Sequence, residues 1–101
     1  MRAEDVYTHA ASACHKAVDL FTGDRATTHG DVVAVHLDVA ARWSRTLGCP
    51  GISPHRVLLC MVDLKLSRMA HGTFCGDDYD DAIAYLALAK GVRTETERKT
   101  K

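Results

Sequence analysis

The chain has 101 residues, 13 basic and 13 acidic side chains, and a formal net charge of zero. A protein that tracks a polyanionic backbone carries a basic excess, so this balance argues against a dedicated DNA- or RNA-binding module but leaves room for a small nucleotide ligand. The length bounds one small domain with a modest core, of the size that often gains burial by self-association.

Residues 4–21 place Val6, Ala10, Ala13, Cys14, Ala17, Leu20 and Phe21 at helical spacing, which predicts a first amphipathic helix. Gly23 stands where a helix-ending glycine belongs. The connector that follows, Thr-Gly-Asp-Arg-Ala-Thr-Thr-His-Gly-Asp over 22–31, is rich in donors and charge. A second helix is expected over 31–47, with Asp31 as N-cap. Its apolar face is read as Val32, Val35, Val39 and Trp43, widened by Leu37, Ala40, Ala41 and Leu47.

Gly48-Cys49-Pro50-Gly51 breaks the chain, and Ser53-Pro54 opens a third helix, with serine as cap and proline at the first helical position. This helix, about 54–71, is apolar nearly all round, which suits a central helix or one at a subunit interface. After Gly-Thr-Phe-Cys-Gly at 72–76, Asp77 or Asp78 is expected to cap a fourth helix. Its face is read as Ile83, Leu86 and Ala87, extended by Tyr79 and Ala82, with Gly91 ending it near Lys90. Residues 92–101 are almost devoid of apolar side chains and read as a polar charged tail, either a solvated helical extension or a frayed end. The fold class is therefore all-α: residues 1–91 form a single small four-helix bundle, expected to be oligomeric.

No run is long and apolar enough to cross a bilayer, and no signal-peptide core follows Met1, so a cytoplasmic protein with no membrane partner is expected. Cys14, Cys49, Cys60 and Cys75 show no Cys-x-x-Cys spacing and read as thiols, some of them small core residues. His71 and Cys75 are the one suggestive ligand pair, too little for a zinc site. Trp43 and Tyr85 read as core, or as walls of a nucleotide pocket at a helix crossing.

Charge supplies the candidate site. Lys65 and Arg68 share a helix face, and two cations on an apolar helix require anionic partners. The fourth helix offers Asp77, Asp78, Asp80 and Asp81. One reading is an interhelical ion-pair network of Lys65 and Arg68 against Asp78 and Asp81. The other places a phosphate between the helices, gripped by Lys65 and Arg68, because the guanidinium fork makes paired hydrogen bonds to phosphate. The connector adds Asp24, Arg25, Thr28, His29 and Asp31 at the entry to a helix N-terminus, a natural anion site.

Taken in order, Gly23-Asp24-Arg25, His29-Gly30-Asp31, Trp43-Ser44, Lys65 with Arg68, Asp77 with Asp81, and Tyr85 resemble the pattern of a small family of phage and prophage proteins carrying a domain of unknown function. The likeness runs over about residues 14–90. The pattern is also similar to the nucleotide-modification-associated helical domains of phages, and more distantly to the all-α nucleoside triphosphate pyrophosphatases. His29 stands where that family usually has tyrosine, and Asp78 where it usually has asparagine. The pyrophosphatase carboxylate set, Glu-Glu-x-x-Glu with Glu-x-x-Asp, is absent: Glu4, Glu95 and Glu97 all lie near the chain ends.

The resemblance implies a phage context, and Arg25, Lys65 and Arg68 lead to the expectation of a protein that binds a nucleotide or cyclic nucleotide signal; sequestering it against host defence is an expectation beyond the resemblance. From its size and charge balance the chain is expected to be a homo-oligomer, with no nucleic-acid polymer as partner and no cofactor. The alternatives are a magnesium-dependent nucleotide hydrolase or modification factor built on Asp77, Asp78 and Asp81, and a structural or interaction protein without a small-molecule site.

Overall fold

The computed structural model describes residues 1–22 and 31–99. The described residues contain four helices: α1 (Ala3–Asp19), α2 (Val32–Thr46), α3 (Pro54–His71) and α4 (Gly76–Lys99). The all-α expectation holds, and no strand occurs among the described residues.

Local chemistry sets the helix ends. The Asp31 side chain accepts from the Val33 amide at 2.9 Å and caps α2. At the other end Gly48 has φ +62°, and the Cys49 amide donates to the Ser44 carbonyl at 3.0 Å, a six-residue closure around a left-handed glycine. Ser44 then ties the connector down: its hydroxyl donates to the Ala40 carbonyl and accepts from the Ile52 amide at 3.2 Å. Ser53 caps α3 by accepting from the Arg56 amide, with Pro54 in the first turn. The predicted closing role of Gly23 falls outside the described residues.

Helices α3 and α4 form the central pair, with α1 packed on α4 and α2 on α3. Every other pairing makes marginal contact at most, so the four helices form an open row rather than a closed ring. The buried apolar side chains are correspondingly small: Ala17, Ala40, Val57, Leu58, Ala84 and Ala89. His36 reaches from the end helix α2 to the central helix α4. Its ring meets Tyr85 edge-on at 6.0 Å, and its Nδ1 pairs with the Val32 carbonyl at 2.8 Å.

Several sequence readings need correction. Helix α4 continues through Gly91 to Lys99, so the glycine does not end it. Arg93 with Glu97 and Glu95 with Arg98 bridge successive turns of the extension, and the Thr94 and Thr96 hydroxyls bond back to carbonyls four residues earlier. In α2 the inward positions are Val32, His36, Val39, Ala40 and Trp43, while Val35, Leu37, Ala41 and Leu47 face out. In α4 Leu86, Ala87 and Tyr79 are exposed. Only the C-terminal half of α1 docks, so Val6, Ala10 and Cys14 are exposed. All four cysteines are exposed, not core residues.

The uninterrupted passage through Gly91 gives a direct test. A Cβ built there meets nothing within 4 Å. Glycine in a helix interior costs about 1 kcal/mol relative to alanine. Gly91→Ala is expected to raise the unfolding free energy by about that amount in urea titration; an unchanged midpoint would mean the extension does not unfold with the bundle.

Candidate functional site

Helices α3 and α4 run antiparallel, and their facing charges form a two-rung ladder. Lys65 Nζ lies 3.1 Å from Asp81 Oδ2, and Arg68 Nε lies 3.2 Å from Asp78 Oδ1. These four residues are the ones the sequence brings forward as an interhelical network. The rungs are buried in opposite senses. The Lys65 side chain is 11% exposed against 29% for Asp81, whereas Arg68 is 57% exposed against 7% for Asp78. Each rung thus holds one desolvated charge and one that reaches water.

The expected cap at Asp77 or Asp78 also changes. Helix α4 opens at Gly76, and the Asp78 amide donates to the Cys75 carbonyl at 3.2 Å. Asp78 therefore sits inside the first turn, where the positive end of the helix suits a carboxylate, with its side chain turned to Arg68.

Beside the Lys65–Asp81 rung, the end of α1 and the start of α4 enclose a crevice of about 360 Å³. Lys16, Asp19 and Leu20 line it from α1, and Asp77, Asp80 and Asp81 from α4. Asp80 is the notable member. It is 9% exposed, and among the described residues nothing donates to or pairs with its carboxylate. No side-chain oxygen of a buried described residue is sealed from solvent without a partner. The Asp80 oxygens therefore reach the space of the crevice they line. Burying a carboxylate without a partner is costly, and three further carboxylates around the same space add repulsion that Lys16 and Lys65 offset only in part.

Among the described residues no group of three or more His, Cys, Asp and Glu side chains is arranged to hold a metal ion, and His71 with Cys75 gains no further ligand. Asp31 is occupied by its capping bond and lines no part of the crevice. Asp24, Arg25, Thr28 and His29 lie outside the described residues. Of the nine predicted site residues, Lys65, Arg68, Asp78 and Asp81 come together, and Asp81 is the one of the five described that also lines the crevice.

Sequence reading missed Lys16 and Asp19 and gave Asp80 no role of its own. One signal was available: Asp77, Asp80 and Ala84 fall three and four apart, so a small apolar residue one turn on marks Asp80 as inward-facing.

No helix among the described residues is long and apolar enough to cross a membrane. No curated protein and no solved structure matches the chain. The model of one family, a domain of unknown function (DUF6378), matches residues 12–93, which include both rungs of the ladder and the whole crevice. Most of the chain is covered by that match, and the protein belongs to the DUF6378 family.

Proposed function

We propose that this protein binds a nucleotide, and that the ligand seats at the α1–α4 crevice as its magnesium complex. The observation that carries the reading is Asp80: a carboxylate held nine-tenths buried without a partner among the described residues, in a space it shares with Lys16, Asp19 and two further aspartates of α4. Magnesium takes one or two protein carboxylates and completes its shell with water and phosphate oxygens, so it needs no ready-made cage of three ligands. A free phosphate would meet mainly like charge here. A magnesium-bound phosphate presents a cation to Asp80 and Asp77 and leaves anionic oxygens for Lys16. In the finer form of this reading, a phage-encoded protein sequesters a host nucleotide or cyclic nucleotide signal, and the ligand is released chemically unchanged.

Calorimetry against nucleoside mono-, di- and triphosphates and cyclic nucleotides tests the proposal. Binding is expected with magnesium and is lost in EDTA. Asp80→Asn should weaken it about tenfold or more, the scale of a lost hydrogen bond to a charged group. The same substitution should leave the ligand-free protein as stable or more stable, because it removes an unpaired buried charge. A panel with no binding in either condition sinks the reading. Loss of ligand with magnesium-dependent appearance of product would replace sequestration by hydrolysis.

A second reading, an interaction protein without a small-molecule site, is favoured by the ladder itself. Lys65 and Arg68 already have carboxylate partners, so neither requires a ligand to be compensated.

A further inference from the structure

The open row of helices leaves much of the molecule uncovered. Its accessible surface is 7499 Å², about a third more than the roughly 5,600 Å² typical of a compact monomer of this mass. The radius of gyration is 15.4 Å, against about 13 Å for a compact domain of this length. Part of the uncovered surface is concentrated in one place. The N-terminal part of α3 and residues 83–98 of α4 bound an open groove of about 930 Å³. Leu59, Ile83, Leu86 and Ala87 contribute its apolar lining, with Leu86 53% and Leu59 36% exposed.

We propose that this groove is the interface of a two-fold dimer, occupied by the same groove of a second copy of the chain. Area supports the assignment. Summed over the whole chain, the surplus of about 1,900 Å² over a compact monomer leaves surface enough for the roughly 800 Å² per partner that a standard stable interface buries. Charge selects the occupant. The groove margin carries both signs: Lys90, Arg93 and Arg98 line it with Glu97, to which Arg93 donates at 2.8 Å, and Glu95 lies just outside it, 3.0 Å from Arg98. A two-fold axis presents a surface to itself. A margin of mixed sign can exchange these pairs between copies, whereas a margin of one sign would repel its mate. The same mixed margin, on a chain of zero net charge, suits a nucleic acid poorly. Docking also covers the face of α3 and α4 that α1 and α2 leave open.

The test is the mass of the full-length chain by sedimentation across the micromolar range, with and without Leu86→Glu. The unmodified chain should sediment at twice 11.0 kDa. Leu86→Glu should weaken self-association about a hundredfold or more, because each dimer would have to desolvate two added carboxylates in its apolar centre, while circular dichroism stays helical. Amide exchange on the unmodified chain provides a second measurement that does not depend on the variant folding. Residues 55–59 and 83–94 should gain protection as concentration rises. A monomer throughout overturns the proposal, and so does an oligomer whose concentration-dependent protection lies elsewhere, for example over 33–37. Neither result bears on the nucleotide reading, whose crevice lies toward the opposite end of α4.

Discussion

Leu58→Ala is expected to destabilise the protein by about 3 kcal/mol, within the range of 2–5 kcal/mol for leucine truncation in a packed core. Leu58 is 1% exposed and, with Val57, is the largest fully buried side chain. The other buried apolar residues are alanines, so few large neighbours can move in to fill the space, and the cost should not fall to the low end. A chain of this length loses several degrees of melting temperature per kcal/mol, and total stabilities of about 5–15 kcal/mol leave little reserve. The measurement is a urea titration of both proteins, with Leu66→Ala as comparison. Leu66 lies on the same helix but is half exposed, and its truncation should change stability by less than about 0.5 kcal/mol. Equal losses at the two positions would mean that α3 buries a different face.

That contrast shows where sequence was informative. Helical spacing, Ser53-Pro54 and the Gly48 break located the helices because these signals act within one turn of the backbone. Spacing could also name the partners of Lys65 and Arg68, since buried cations on an apolar helix demand carboxylates and the start of α4 supplies them. It could not say which apolar face meets the rest of the chain. Leu59, Leu64, Leu66 and Leu86 are as hydrophobic as any core residue and yet stay uncovered. The buried seams use Ala17, Ala40, Ala84 and Ala89, whose small size lets helices approach closely but gives a weak hydrophobic signal. His36 was passed over for the same reason: an imidazole is scored as polar, although its ring packs against Tyr85. Gly91 misled because a glycine that ends a helix and one that the helix passes through look alike when read singly. The extension is decided by the charge pairs beyond it.

The opposite burial of the two rungs leads to an asymmetric result: in each rung, removing the more exposed partner should do the greater damage. Asp81→Ala strands Lys65, whose side chain is 11% exposed, and Arg68→Ala strands Asp78 at 7%. Each should cost about 2–3 kcal/mol, below the 3–5 kcal/mol of a fully buried pair because one partner is already in part hydrated. Lys65→Met leaves Asp81, which at 29% exposure can recover water, and should cost about 1 kcal/mol. The double variant Lys65→Met with Asp81→Leu removes both charges and should lie within about 1 kcal/mol of the parent, since buried pairs often do no better than the apolar residues that replace them. A double-mutant cycle measures the coupling directly. If Lys65→Met is the more damaging single change, Lys65 has obligations beyond Asp81. The adjoining crevice is the place to look for them, because a lysine that also compensates Asp80 or Asp77 would leave several unpaired carboxylates behind. Magnesium would then relieve the defect, and the melting temperature of Lys65→Met should rise with added magnesium more than that of the parent.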